Sequence, residues 1–158
     1  GWSPVAEAEV ILSHSGATIR HGGDRAFYRP VDDVIQLPPP GVFPQASSYY
    51  NVALHELTHW SGHASRCNRP LASRQHIEAY AFEELVAEMG SAFLCSHCGL
   101  GSELQHASYI ASWLQALRND KRLIFTAASL AQKAADYLMG VEPGVVAQQQ
   151  AQPEAEAA

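Results

Sequence analysis

His55, Glu56 and His59 stand in the run His55-Glu56-Leu57-Thr58-His59, inside a segment where Tyr50, Leu54 and Leu57 recur at helical spacing. Side chains four apart on a helix differ by only about 40° in direction. Both imidazoles therefore leave the same side and can take adjacent vertices of a tetrahedral zinc. Glu56 points about 100° round from His55, near enough to reach water on such an ion without ligating it, which is the place of a general base. At this histidine and glutamate content, chance supplies ~0.03 such pentapeptides per chain. The plainer alternative is a pair of solvent-facing histidines on an ordinary helix. The apolar flank of Val52, Leu54 and Leu57, which buries the helix, counts against it.

A catalytic zinc takes three protein ligands and keeps a fourth position for water. The extended pattern HExxHxxGxxH holds through Gly62 but has Arg66 in place of its third histidine. His63, one turn past His59, would crowd the same helical face. The better source is the segment from Gln75 to His97. Its residues Ile77, Ala81, Glu84, Glu88, Ser91 and Cys95 share one stripe, and Phe82, Leu85, Met89 and Phe93 share another, so the helix is apolar on more than one side. Carboxylates on such a helix are costly unless paired or metal-bound. Glu84 is assigned as third ligand, and Glu88, one turn on, as the carboxylate accepting the other ring N–H of a metal-bound histidine. Glu83 and Glu78 fall off the stripe and read as solvated. One zinc per chain is implied, with another divalent metal as the alternative. The chemistry is hydrolysis: the ion polarises a carbonyl and acidifies its water toward a pKa of ~7, and Glu56 takes that proton and passes it to the leaving amine. Tyr80, His76 and Tyr49 are the candidates for an oxyanion donor, and the sequence leaves that choice open.

The elements that must position these groups fit one domain of 158 residues, 47% of them apolar. Ser3 and Pro4 open a helix ending near His14. Three β-prone runs follow, Ala17 to His21, Ala26 to Arg29 and Val34 to Leu37. Gly22-Gly23 between the first two predicts a tight hairpin and hence a small antiparallel meander. Pro38 to Pro40 end the last strand, whose edge could receive an extended peptide. Helices are expected from Ala46 to Gly62 and from Gln75 to His97, with Gly99 as C-terminal cap. Two more are marked by Ile110, Trp113, Leu114 and Leu117 and by Ile124, Ala128, Ala131, Ala135 and Leu138, separated at Asn119-Asp120. The expectation is an α+β domain over residues 1–140, a small antiparallel three-stranded sheet packed on about five helices. Residues 141–158, rich in Gln, Ala, Glu and Pro, read as a low-complexity, disordered tail.

A net charge of -6 opposes direct nucleic-acid binding by this chain, because such binding rests on clustered Lys and Arg. No apolar run approaches the ~18 to 20 residues that span a bilayer, so no membrane partner is expected. Three cysteines and no charged-then-apolar leader fit a reducing, cytoplasmic setting. Cys95 and Cys98 read as core residues. Arg66, Arg69 and Arg74 form a basic loop that could hold a substrate carboxylate, with solvated charge as the default.

The chain resembles the C-terminal zincin-like metallopeptidase domain of ArdC-type antirestriction proteins, a domain also appended to some plasmid primases and phage polyvalent proteins. The likeness runs from about Val5 to Leu138. It is carried by Gly22-Gly23-Asp24-Arg25-Ala26-Phe27-Tyr28, Tyr49-Tyr50, His55 through His63, Tyr80 through Glu88, and Ala111-Ser112-Trp113-Leu114 through Asn119-Asp120-Lys121. The resemblance implies a zincin fold, a metal held by His55, His59 and Glu84, and Glu56 as base. It also implies a protein or peptide partner, with a host restriction component among the candidates. Such proteins carry an N-terminal domain that binds single-stranded DNA. No counterpart is found in this sequence, so an excised or stand-alone peptidase half is expected. Two readings follow: a zinc-dependent peptidase, or a catalytically silent zincin-fold module that blocks a host restriction protein. Glu56 favours the first, since a purely structural ion has no use for a base beside a vacant coordination position.

Overall fold

Val34, Ile35 and Leu37 are all buried, and that decides the sheet. In the computed structural model, which describes residues 1–101 and 103–141, strands β1 (Thr18–His21), β2 (Phe27–Arg29) and β3 (Val34–Leu37) lie in the order β1-β3-β2. Strand β3 runs parallel to β1, with Thr18 opposite Val34, and antiparallel to β2, with Phe27 opposite Gln36. The antiparallel meander is thus corrected to a mixed sheet. Gly22 and Gly23 do not close a hairpin. The Gly22 N–H donates to Leu37 O at 2.8 Å, extending the β1–β3 ladder, and Gly23 at φ +68° then turns the chain away. The hairpin lies between β2 and β3, where Asp33 takes φ +56°. An apolar strand belongs where neighbours cover both its edges, whereas β1, exposed at three of four positions, tolerates an edge. For the same reason β3 has no edge to offer a peptide, and β2 becomes the outer strand on that side.

Five helices accompany the sheet: α1 (Ala6–His14), α2 (Ala46–Ser61), α3 (Ile77–His97), α4 (Glu103–Ala116) and α5 (Lys121–Leu138). The molecule is α+β. Helix α1 starts later than Ser3-Pro4 predicts. Val5 precedes its first turn, and no side chain caps it. Instead the Val5 N–H donates to the Tyr50 hydroxyl at 3.1 Å, which donates on to Glu9 at 2.7 Å, so a tertiary contact replaces the local cap. Asp120 caps α5 by accepting from the Arg122 N–H, and Gly99 at φ +71° follows the end of α3.

Helix α3 serves two cores. Leu94 and Cys95 join the cluster formed with α1, α2 and β3, whereas Ala81, Leu85 and Val86 join one with α4 and α5. Small residues let α2 and α3 approach closely. A Cβ on Gly90 would sit 2.7 Å from Thr58 Cγ2, and Ser91 Oγ donates to Asn51 O at 3.0 Å. Cys95 and Cys98 are buried and not in a disulfide, and Cys95 Sγ lies 3.2 Å from Asn51 Oδ1, in line with a packing role. Among the described residues no helix is long and apolar enough to cross a membrane. The expected tail lies, beyond Val141, outside the described residues.

Candidate metal centre

The close α2–α3 crossing brings the two histidines of α2 against a row of carboxylates on α3. His55 Nε2 lies 3.1 Å from one Glu84 oxygen and His59 Nε2 lies 3.1 Å from the other. Behind each ring stands a second carboxylate. Glu88 accepts from His55 Nδ1 at 2.9 Å, and Glu83 accepts from His59 Nδ1 at 2.8 Å. Each support is itself held. Arg69 donates to Glu83 through Nε at 2.8 Å and Nη2 at 3.1 Å, and its guanidinium also reaches Thr58 O and Ser61 Oγ. His106 Nδ1, from α4, donates to Glu88 at 2.7 Å.

Ligand atoms of His55, His59 and Glu84 all lie within 4.8 Å of one another and could hold a metal ion. The donor chemistry fits one. A carboxylate offers only lone pairs, so an imidazole facing carboxylates at both nitrogens needs a proton on each or a cation in place of one. Here both rings are in that position. A divalent ion held by His55, His59 and Glu84 would take the place of both inner protons, and two imidazoles with one carboxylate make a ligand set used by catalytic zinc. The charges are arranged accordingly. Burial lowers the affinity of both rings for a proton, but carboxylates outweigh it. Glu84 and Glu88 hold His55 well above its ordinary pKa, and Glu83 and Glu84 push His59 up to about 9. Burial likewise opposes ionised carboxylates, yet Glu84 is held far below the usual range by His55 and His59. Glu88 is held down by His106 and His55, and Glu83 by His59 and Arg69.

Glu56 differs from its neighbours. No hydrogen bond to its carboxylate is made among the described residues, and it lines two cavities that meet at the cluster. One, of about 460 Å³, is bounded by β2, the loop before α3 and Tyr80. The other, of about 240 Å³, is bounded by α2 and by Tyr109 and Trp113 of α4. A carboxylate with uncommitted oxygens between two openings is placed to exchange a proton with water or substrate.

Of the three hydroxyl or imidazole candidates for the oxyanion, Tyr80 lines the larger cavity. Its phenol pKa is raised by burial and by the Glu84 charge, against an opposing pull from Arg74. Tyr49 is buried with its hydroxyl 2.7 Å from His21, and His76 precedes α3 without lining either cavity. His63 bonds Ser65 and stands outside the cluster.

Three expectations need correction. Glu83, expected to be solvated, is 5% exposed and supports His59. Arg69 is 6% exposed and holds Glu83. Arg66, where the longer pattern has histidine, ion-pairs with Asp33, donates to Trp60 O at 2.8 Å and lies 3.7 Å from the Trp60 ring centroid. Of the supposed basic loop only Arg74 faces a cavity. Residue spacing carries no sign of Arg69 or His106 as supports, because both arrive from other elements.

A model of the zincin-like metallopeptidase family matches residues 6–130. The chain is 50% identical over 153 residues to a DNA primase TraC of Escherichia coli, covering 96% of this chain and 14% of that protein. It is 47% identical over 136 residues to the uncharacterized protein y4eC of Sinorhizobium fredii, covering 85% of this chain and 44% of that one. Among solved structures, the Mn(II)-bound antirestriction protein ArdC of plasmid R388 superposes with a TM-score of 0.71 at 45% identity, over 87% of this chain and 52% of ArdC. Its metal-free form gives 0.69. The chain therefore spans about half of ArdC and a small part of the primase. With its fold, its HExxH helix and the match over most of its length, the chain belongs to the zincin-like metallopeptidase family.

Proposed function

We propose that this chain is a metal-dependent peptidase domain, in which His55, His59 and Glu84 hold one divalent ion and Glu56 is the general base. The observation carrying this reading is Glu84 shared between two Nε2 atoms, with Glu56 uncommitted beside it. When bound, the ion supplies Lewis-acid polarisation of a carbonyl and a water of pKa near ~7. Glu56 accepts a proton at its free carboxylate and returns it to the departing amine. Glu88 and Glu83 fix the ring orientations that aim both Nε2 atoms inward. Tyr80 is the donor for the developing oxyanion. Zinc is the ion we favour, from the two-imidazole, one-carboxylate set, and the Mn(II) in ArdC supports a divalent site. The antirestriction name of that relative supports a protein partner from host restriction.

The test compares the wild-type chain with Glu56→Gln, following metal content by elemental analysis and cleavage of a peptide library. Both proteins should hold one ion per chain, and the variant should lose at least about 100-fold in turnover, the low end of what a general base contributes. Cleavage, or restriction protection in a full-length relative, that survives Glu56→Gln unchanged would instead support the silent binding module.

A further inference from the structure

The two cavities that meet at Glu56 carry opposite chemistry. The larger is lined by Arg25 and Arg74, with Phe27 of β2 between strand and loop. Their guanidinium carbons lie 5.5 Å from the Phe27 ring centroid and 5.8 Å from the Tyr80 ring centroid. Among the described residues neither has an ion-pair partner, whereas Arg29, Arg66, Arg69 and Arg122 each do. The carboxylates in that cavity, Glu56, Glu83 and Glu84, form no ion pair with either arginine. Glu83 is committed to Arg69 and His59, and Glu84 to the two histidines. Arg20, Arg118, Lys121 and Lys133 also lack an ion pair among the described residues but line neither cavity, so on a chain of net charge -6 Arg25 and Arg74 are the unpaired guanidinium groups that face the reactive groove. The smaller cavity has no Lys or Arg in its lining. Val52, Tyr109 and Trp113 give it apolar walls, and the Asn51 amide there is bonded to Gln105 at 2.9 Å. Its charged residues besides His55 are Glu56, Glu84 and Glu88, so an acidic side chain entering it meets like charge.

Resting on the peptidase reading above, we infer that the groove selects an extended peptide by sidedness. The substrate sets an acidic side chain between Arg25 and Arg74 on one side of the scissile bond and an apolar or aromatic side chain against Val52, Tyr109 and Trp113 on the other. Guanidinium groups favour carboxylates because their paired N–H donors match two oxygens, and the rings under them hold the forks in place. Aromatic walls reward apolar area, and the carboxylates that line both cavities are offset by guanidinium groups on one side only.

The experiment uses the full chain loaded with Zn2+ and pairs of quenched fluorescent peptides that differ only by Glu against Gln at one position. The positions run along both sides of the cleaved bond. On one side the Glu member should be cleaved with kcat/KM about tenfold or more above its Gln partner, and on the other side below it. The favourable ratio should fall toward one in Arg25→Gln/Arg74→Gln and should shrink at high salt, because exposed charges are screened. Equal ratios on both sides, or a preference unmoved in the double variant, overturn the inference and leave the peptidase reading standing. If no peptide is cleaved, that reading falls. The same pairs are then scored for binding to the metal-loaded Glu56→Gln chain by fluorescence anisotropy. There a Glu preference lost in the arginine double variant upholds the sidedness, and equal affinity overturns it.

Discussion

His55 and His59 present the same inner atom to Glu84, but the supports behind them are built differently. Behind His59 the chain runs through Glu83 to Arg69, whose guanidinium is consumed by two Glu83 oxygens, Thr58 O and Ser61 Oγ. Every link is charge-assisted and each of the three guanidinium nitrogens finds an acceptor. Behind His55 the chain runs through Glu88 to His106, 3% exposed, whose Nε2 is buried with no hydrogen-bond partner among the described residues. One support ends in a satisfied fixed cation, the other in an imidazole with an orphaned nitrogen. A buried carboxylate facing a permanent charge is costly to break, whereas one facing a titratable ring with an unmet atom is nearly balanced. The His59 side should therefore carry fold stability, and the His55 side should carry little stability while still setting ligand orientation.

The largest effect is expected from Arg69→Met. It strips a buried carboxylate of its permanent cation and leaves Thr58 O with the Ser61 hydroxyl alone as side-chain donor, so unfolding free energy should fall by about 3–5 kcal/mol. Urea denaturation of the metal-free chain measures this. Adding Glu83→Gln should recover part of the loss, because it removes a buried charge that His59 alone then faces. A drop below about 1 kcal/mol would erase the asymmetry between the two supports.

An intermediate effect is expected where both supports share one cause. They meet α2 only because Gly90 lets α3 lie against Thr58, and a Cβ there would be 2.7 Å from Thr58 Cγ2. Gly90→Ala should cost about 1–3 kcal/mol by overpacking. It should also weaken metal binding, since the same displacement moves Glu84, Glu83 and Glu88 away from α2 together. Unchanged affinity in a chelator competition would show that the helix spacing does not set the ligand geometry.

What sequence could foresee divides along the same line. The HExxH pair is local: two residues four apart on one helix need no other element to be recognised, and α2 begins at the expected Ala46 and stops at Ser61. Glu84 and Glu88 were accessible because an acid on an apolar stripe demands a partner. Glu83 was not, because the stripe argument assumes one buried face, and α3 is enclosed on more than one side. Arg69 sits in a loop where solvated charge is the default, and only the tertiary fold shows that the loop dives under α2. The sheet order failed in the opposite sense. A local signal, Gly22-Gly23, points to a hairpin, whereas the apolar run Val34, Ile35 and Leu37 takes the buried central strand.

The smallest effect on stability, and the sharpest on function, belongs to His106→Leu. The substitution removes one hydrogen bond to Glu88 and also removes the orphaned Nε2, so the two changes offset and unfolding free energy should move by less than about 1 kcal/mol. Glu88 keeps His55 Nδ1 as a partner and is not stranded. It does lose the anchor that fixes its angle, and the His55 ring becomes free to swing. Divalent-ion affinity should fall about 10-fold or more, the range in which outer partners of metal-bound histidines act. His106→Asn, whose amide N–H can stand near the former Nδ1 position, should recover part of that affinity. A purely structural histidine would show the reverse pattern, with stability lost and affinity kept, and that outcome would make the two supports equivalent.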